Sequence, residues 1–183
     1  MKKVLLHICC GVCAFSCIEK LRKEDFCLEG FFFNPNIYPY QEYRKRREAL
    51  KAAEEILSIR VSEGRYENSA WISYCKLYSA EPEGGKRCEK CFEIRLQETF
   101  RLMQKKNFDY FTTTLTISPH KNSFLINKIG ERIGGERFLQ RDFKKKDGFK
   151  RTQELSKQYG LYRQNYCGCV YSMEKKTDSR HQR

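Results

Sequence analysis

Hydrophobic positions fall into two alternating kinds of pattern along the chain. Lys2 to Cys9 and Leu28 to Asn34 (LEGFFFN) are short apolar runs that read as buried strands, the second stopped by Pro35 and Pro39. Ile59 to Ser62 predicts a third strand. Tyr110 to Ile117 (YFTTTLTI), rich in β-branched and aromatic residues and followed by Pro119, predicts a fourth, and Phe138-Leu139 a short fifth. Between these runs the spacing becomes helical. Ala14, Cys17, Ile18 and Leu21 mark one helix. Tyr43, Leu50 and Leu57, with Ala53 between, mark an amphipathic helix over Gln41 to Leu57. Phe92, Leu96, Phe100 and Met103 mark another. A helix over Ser123 to Ile133 should stop at Gly134-Gly135, and one over Lys150 to Tyr159 should end with Gly160 in the C′ position. The stretch from Arg65 to Lys86 predicts no regular element.

Strands alternating with helices predict an α/β fold: a mostly parallel five-stranded sheet, with helices on both faces. A length of 183 residues suits one domain, expected over 1–174, with a polar, disordered tail over 175–183. In open sheets of this kind ligands sit beyond the carboxyl ends of the strands. Cys9-Cys10 closes the first strand and Thr116 to His120 follows the fourth, so the chemistry should gather there.

Charge narrows the partners. The formal net charge is +13, which favours a polyanion, with nucleic acid the leading candidate. A membrane surface fits less well, because no basic amphipathic helix with an apolar Trp/Leu face is present. No run is long enough to span a bilayer, and Val4 to Ile8 is too short for a secretory leader. A cytoplasmic protein is expected, where structural disulfides are rare.

Ten cysteines therefore need another explanation. They fall into sets: Cys9-Cys10 with Cys13, Cys88-x-x-Cys91, and Cys167-Gly-Cys169. Close-spaced thiolates suit soft metals and iron–sulfur clusters. The second pair should open a helix, where the dipole favours thiolate. Four cysteines from the last two sets would equally close a structural zinc site, although that leaves Cys9 and Cys10 unexplained. Cys17 and Cys27 read as core thiols and Cys75 is left open. His7 reads as a core histidine, and His120, after a strand end, as the better site candidate.

The segments LLHICCGVC, FFFNPNIYPYQEYRKR, PEGGKRCEKCFEIRL, DYFTTTLTISPHKN, DFKKKDGFKR and SKQYGLYRQNYCGCVYS occur in that order. Together they resemble the cobalamin-independent epoxyqueuosine reductases of the QueH type, from Leu5 to about Ser172. The resemblance implies an adenine-nucleotide α-hydrolase-like (HUP) fold and reductive removal of an epoxide oxygen from epoxyqueuosine at the wobble position of tRNA. The first loop carries cysteines where that fold normally has a glycine-rich phosphate loop, so ATP binding is not expected. It also implies a [4Fe-4S] cluster with a second metal, expected to be iron, beside it. The candidate ligands are Cys9, Cys10, Cys88, Cys91, Cys167 and Cys169, with Cys13 ranked behind them and Cys9 and Cys10 nearest the reaction. Asp142, ahead of Asp109, is the first choice for a carboxylate that completes the second metal or relays a proton. Tyr43, Arg44, Arg47, Lys145, Lys146, Arg151 and Arg163 are the candidate RNA contacts, for stacking on loop bases and for holding phosphates. The partners implied are tRNA, through its anticodon stem-loop, and an electron donor. Two rival readings remain: a zinc-stabilised, non-catalytic RNA-binding module, and a thiol-based redox or sulfur-transfer enzyme.

Overall fold

The computed structural model describes residues 1–173. Its strands are β1 (Lys3–His7), β2 (Cys27–Phe32), β3 (Val61–Glu63) and β4 (Tyr110–Thr113). They form one parallel sheet in the order β3-β2-β1-β4, with His7 level with Phe31 on one side and Thr113 on the other. Every strand is reached through a helical crossover, the connection that parallel neighbours require. The helices are α1 (Gly11–Arg22), α2 (Tyr40–Leu57), α3 (Asn68–Cys75), α4 (Lys86–Lys105), α5 (Ser123–Gly134) and α6 (Gly148–Gln158).

Two apolar cores lie on the sheet's two faces. Phe15, Ile18 and Leu21 of α1 pack with Leu50 and Leu57 of α2, Leu155 of α6, and Leu6 and Phe32 of the sheet. Leu96 and Met103 of α4 pack with Ile126 and Ile129 of α5 against Leu5, Phe31 and Phe111. No helix among the described residues is long and apolar enough to cross a membrane.

Three expectations need correction. The sheet has four strands, not five: Phe138 makes an isolated bridge to Phe111, and Leu139 only returns its amide to the Phe111 carbonyl at 2.9 Å. The fourth strand stops at Thr113, whose hydroxyl accepts from the Leu115 amide at 3.1 Å and turns Thr114–Ile117 into a 3-10 helix. This local side-chain bond competes with the ladder and overrides β propensity. The stretch read as irregular holds α3, whose buried side chains are only Trp71 and Cys75, one turn apart, too few to show as a period. The α6 terminus matches expectation: Gly160, at φ 59°, donates to Lys157 O and Leu161 to Ser156 O, a Schellman closure. The tail expected from residue 175 lies outside the described residues.

His7 is fully buried in β1, its ring nitrogens taken by Thr113 Oγ1 at 2.9 Å and the Phe33 carbonyl at 3.1 Å. Burial lowers its pKa to about 4, so it is a neutral core residue, as read from the sequence.

Gly11 starts α1 directly after Cys10 because no side chain fits there. A Cβ would stand 2.5 Å from Ala49 O and 2.9 Å from Leu50 Cα, both backbone atoms of α2 that cannot turn aside. Gly11→Ala is expected to lower stability by about 1–3 kcal/mol, as overpacking does. Urea unfolding measures it, and an unchanged midpoint would show that the two helices part freely.

Candidate metal and substrate site

The carboxyl end of β1 delivers Cys9 and Cys10, and the first turn of α1 delivers Cys13. Their three Sγ atoms all lie within 4.8 Å of one another, the spacing of ligands to a single ion. Thr114, turned inward by the 3-10 helix after β4, accepts from the Cys9 amide at 3.0 Å and donates to Cys9 Sγ at 3.3 Å. Hydrogen bonds from Cys10 and Cys13 hold the Cys9 thiol well below its ordinary pKa. Cys13 favours ionisation of Cys10, but Cys10 gives its proton toward Cys9 in a buried site and is pushed up to about 12. Cys13 is pushed up too, by its bonds to Cys10 and Cys9.

A second set gathers beside it. Cys88 and Cys91 lie in the first turns of α4, and Cys88 Sγ accepts from the Gly84 amide at 3.3 Å. Burial raises both thiols, against the lowering expected for a pair at a helix start. Cys167 and Cys169 come from the C-terminal loop. Cys169 donates to Cys167 and holds it well below the ordinary value, while Cys169 itself is raised. The loop is anchored by α2. Arg46 Nη1 donates to the Cys167 carbonyl at 3.0 Å, and the Tyr38 amide to the Gly168 carbonyl at 2.7 Å.

All four of these cysteines line one small cavity of about 30 Å³. Trp71, Arg87 and Arg95 line it as well: Trp71 Nε1 donates toward Cys91 Sγ, and Arg87 Nε and Arg95 Nη2 are buried with no hydrogen-bond partner. Buried donors are normally satisfied. Four thiols sharing a cavity with two buried, unspent guanidinium donors therefore fit an anionic, sulfur-rich group. Nothing comparable surrounds an ordinary thiol core.

Cys9, Cys10 and Cys13 instead line a larger cavity of about 630 Å³ with Ser118, His120, Lys121, Phe149, Thr152, Arg163, Gln164 and Cys167. Cys167 and Lys121 border both spaces. Burial opposes the Lys121 charge, yet thiolate at Cys167 and Cys9 holds its pKa above the usual value.

The family model described as epoxyqueuosine reductase QueH matches residues 4–175. The chain belongs to the QueH family. A relative from Thermotoga maritima named epoxyqueuosine reductase QueH is 40% identical over 179 residues, covering 94% of this chain and 91% of that one. Another of that name, from Streptococcus pyogenes, is 36% identical, covering 92% and 69%. Among solved structures, the U34-tRNA thiolase NcsA from Methanococcus maripaludis with its [4Fe-4S] cluster superposes with a TM-score of 0.57. Its identity is 15%, covering 93% of this chain and 61% of that one, a likeness of fold alone. The α/β class of the HUP kind expected from the sequence is that shared fold.

Within this QueH family member the candidate residues divide. Cys9 and Cys10 meet with Cys13, which ranked behind the other six cysteines by sequence but stands equal to its two neighbours in space. Cys17 is a core thiol as expected, but Cys27 is exposed at the start of β2. Cys75 is buried against Trp71, Cys91 and Cys169. Asp142 is not among the residues lining the cavities: its carboxylate accepts from Ser123 Oγ at 3.0 Å and the Lys144 amide at 3.3 Å, tying the start of α5 to the basic loop.

Tyr43 cannot serve as a stacking platform. It is 5% exposed, on the inward face of α2, with its ring 4.2 Å from that of Tyr66. Arg47 is bound to Glu63 at 2.7 Å and Arg151 to Glu19 at 3.1 Å. Arg44, Lys145 and Lys146 are exposed, and Arg163 lies over the Phe149 ring at the large cavity. Sequence reasoning missed Arg95 and Lys121. Arg95 was within reach of it, since Cys88, Cys91 and Arg95 follow at three and four residues along one helix face.

Proposed function

We propose that this chain reduces epoxyqueuosine in tRNA to queuosine, with a [4Fe-4S] cluster held by Cys88, Cys91, Cys167 and Cys169. The three-thiol trio, Cys9, Cys10 and Cys13, would hold a second metal ion, expected to be iron, on the floor of the substrate cavity. The observation that carries this reading is the pairing of a small four-thiol cavity with a roomy three-thiol cavity, joined by Cys167. A small space suits a group that stays bound, and a roomy one suits access by a substrate. The cluster supplies single electrons and the second ion a Lewis-acidic site for the epoxide oxygen. That oxygen leaves as water, which takes two electrons, from a donor outside this chain, and two protons.

The chain's own residues bind and orient. The cavity is roomy enough for an unstacked nucleoside, and the Arg163–Phe149 stack at its wall suits an extruded base. Lys145 and Lys146 are placed to meet phosphates of the anticodon stem-loop, as is the exposed Arg44, whose surface pair with Glu48 at 3.6 Å a phosphate can displace. Lys20 Nζ holds the Lys145 carbonyl at 2.6 Å, which fixes the basic loop while leaving its side chains outward. The reading keeps the protein in the cytoplasm with its tRNA.

The test is anaerobic reconstitution with ferrous iron and sulfide, followed by turnover of epoxyqueuosine-containing tRNA with a chemical reductant and mass spectrometry of the nucleosides. Iron beyond the four of one cluster, acid-labile sulfide and conversion to queuosine are expected. Zinc without sulfide and no conversion would sink the reading in favour of a zinc-stabilised RNA-binding module.

A further inference from the structure

Arg95 is a buried cation that no carboxylate answers. It is 3% exposed on α4, one turn beyond Cys91. Its Nε donates to the Cys91 carbonyl at 3.1 Å, Nη1 reaches Asn34 Oδ1 at 3.5 Å, and Nη2 has no partner. No ion pair among the described residues includes it. Arg46 shows the contrast: just as buried, it meets Glu42 at 2.7 Å.

A guanidinium stays charged at any ordinary pH, and burying it without a counter-ion costs several kcal/mol. A fold that carries such a group at a cavity wall has its counter-charge delivered there by something else. Arg95 lines the four-cysteine chamber, and it also lines a third, small cavity that reaches Cys9 and Cys167. Arg95, with Nη2 unspent, therefore borders the space that the thiols line.

We propose that Arg95 is the counter-ion of the metal–thiolate centre, donating Nη2 to its anionic sulfur and raising its reduction potential. This rests on the four-cysteine reading above. Adding an electron makes a cluster more negative, so a fixed buried cation stabilises the reduced form more than the oxidised one. Net charge and hydrogen bonds to sulfur are the levers by which a protein sets that potential. Arg95 acts through the centre and needs no contact with substrate. A merely structural arginine, stacked on Phe92 at 5.5 Å, would leave the potential untouched.

The experiment is a mediated redox titration of the reconstituted protein, read by the electron paramagnetic resonance of the reduced cluster. Arg95→Gln should hold as much iron and sulfide as the parent. At the parent's midpoint its reduced-to-oxidised ratio should fall about tenfold, which is 59 mV for a one-electron couple. Arg95→Lys, which keeps the charge, should restore most of that ratio. Asn34→Asp supplies the missing carboxylate without removing the guanidinium and should shift the ratio the same way as Arg95→Gln. It carries the test if Arg95→Gln does not fold. An unchanged midpoint in a loaded Arg95→Gln or Asn34→Asp protein overturns the role of Arg95 and leaves the four-cysteine centre standing. A parent protein that takes up no iron and sulfide overturns both.

Discussion

Serine at Cys91 is expected to leave the protein colourless and inactive, whereas serine at Cys10 should leave it coloured and inactive. Both side chains are buried, at 5% and 2% exposure, and both substitutions keep side-chain size, so folding should survive either change. Serine offers a harder and far less acidic oxygen, which soft metals bind poorly. Cys91 belongs to a chamber whose four thiols match the ligands of one cluster, and the nearby thiol at Cys75 is pushed up to about 12 by burial and is a poor substitute. Cys10 belongs to the trio on the larger cavity and does not line the chamber. Its loss should remove the second metal and cut turnover by at least about 100-fold, beyond the 10–100-fold typical of outer-shell changes. Absorbance near the iron–sulfur charge-transfer bands, iron content and conversion of epoxyqueuosine are the three measurements. If Cys10→Ser also bleaches the protein, the two thiol sets serve one centre and the division proposed here is wrong. Cys167, which borders both cavities, should fail in both respects.

Most of the fold can be read along the chain because each buried face repeats at its own period. Continuous runs such as Leu28 to Asn34 become strands covered on both faces, and the seven-residue recurrence of Tyr43, Leu50 and Leu57 becomes the inward stripe of α2. Misreadings occur where a local contact competes with that pattern. Thr113 looks like any β-branched strand residue, yet its hydroxyl caps the next turn. Phe138 looks like a strand centre, but its ring is spent filling the space over Gly130, where a Cβ would meet it at 2.4 Å. The cysteine sets are legible because spacing alone draws attention to them. Their division into chamber and cavity is not, because it depends on which side of the β1 terminus each loop approaches. Tyr43 misleads for a related reason: an aromatic among arginines suggests a nucleic-acid surface, while helical phase sends the ring inward and Arg44 and Arg47 outward. Arg46 has that same inward phase, and its burial makes sense only once Glu42 is seen to meet it.

Arg46→Met is expected to cost about 3–5 kcal/mol, the usual effect of breaking a buried ion pair by removing one partner. For a chain of this size that corresponds to a fall in Tm of roughly 10 °C. Glu42 would remain, 6% exposed, with the hydroxyls of Tyr162, at 2.6 Å, and Tyr166 left to stabilise its charge. The loop would suffer as well as the helix, because Arg46 supplies donors to the carbonyls of Cys167 at 3.0 Å and Tyr166 at 3.4 Å. Gly168 lies so close that a Cβ there would meet Arg46 Nη2 at 2.5 Å, so the guanidinium and the Cys167–Cys169 turn are packed as one piece. The double variant Arg46→Met with Glu42→Leu separates the two roles. Replacing both members of a buried pair by apolar groups of similar volume is often neutral. The double variant should therefore regain most of the lost Tm, while the loop carbonyls still lack their donor. Iron and sulfide should consequently load more slowly and leave faster in the double variant than in the parent, measured by chelator-driven release at a temperature where both are folded. Parental release from a refolded double variant would mean that the loop holds its own shape and that Arg46 serves only to neutralise Glu42.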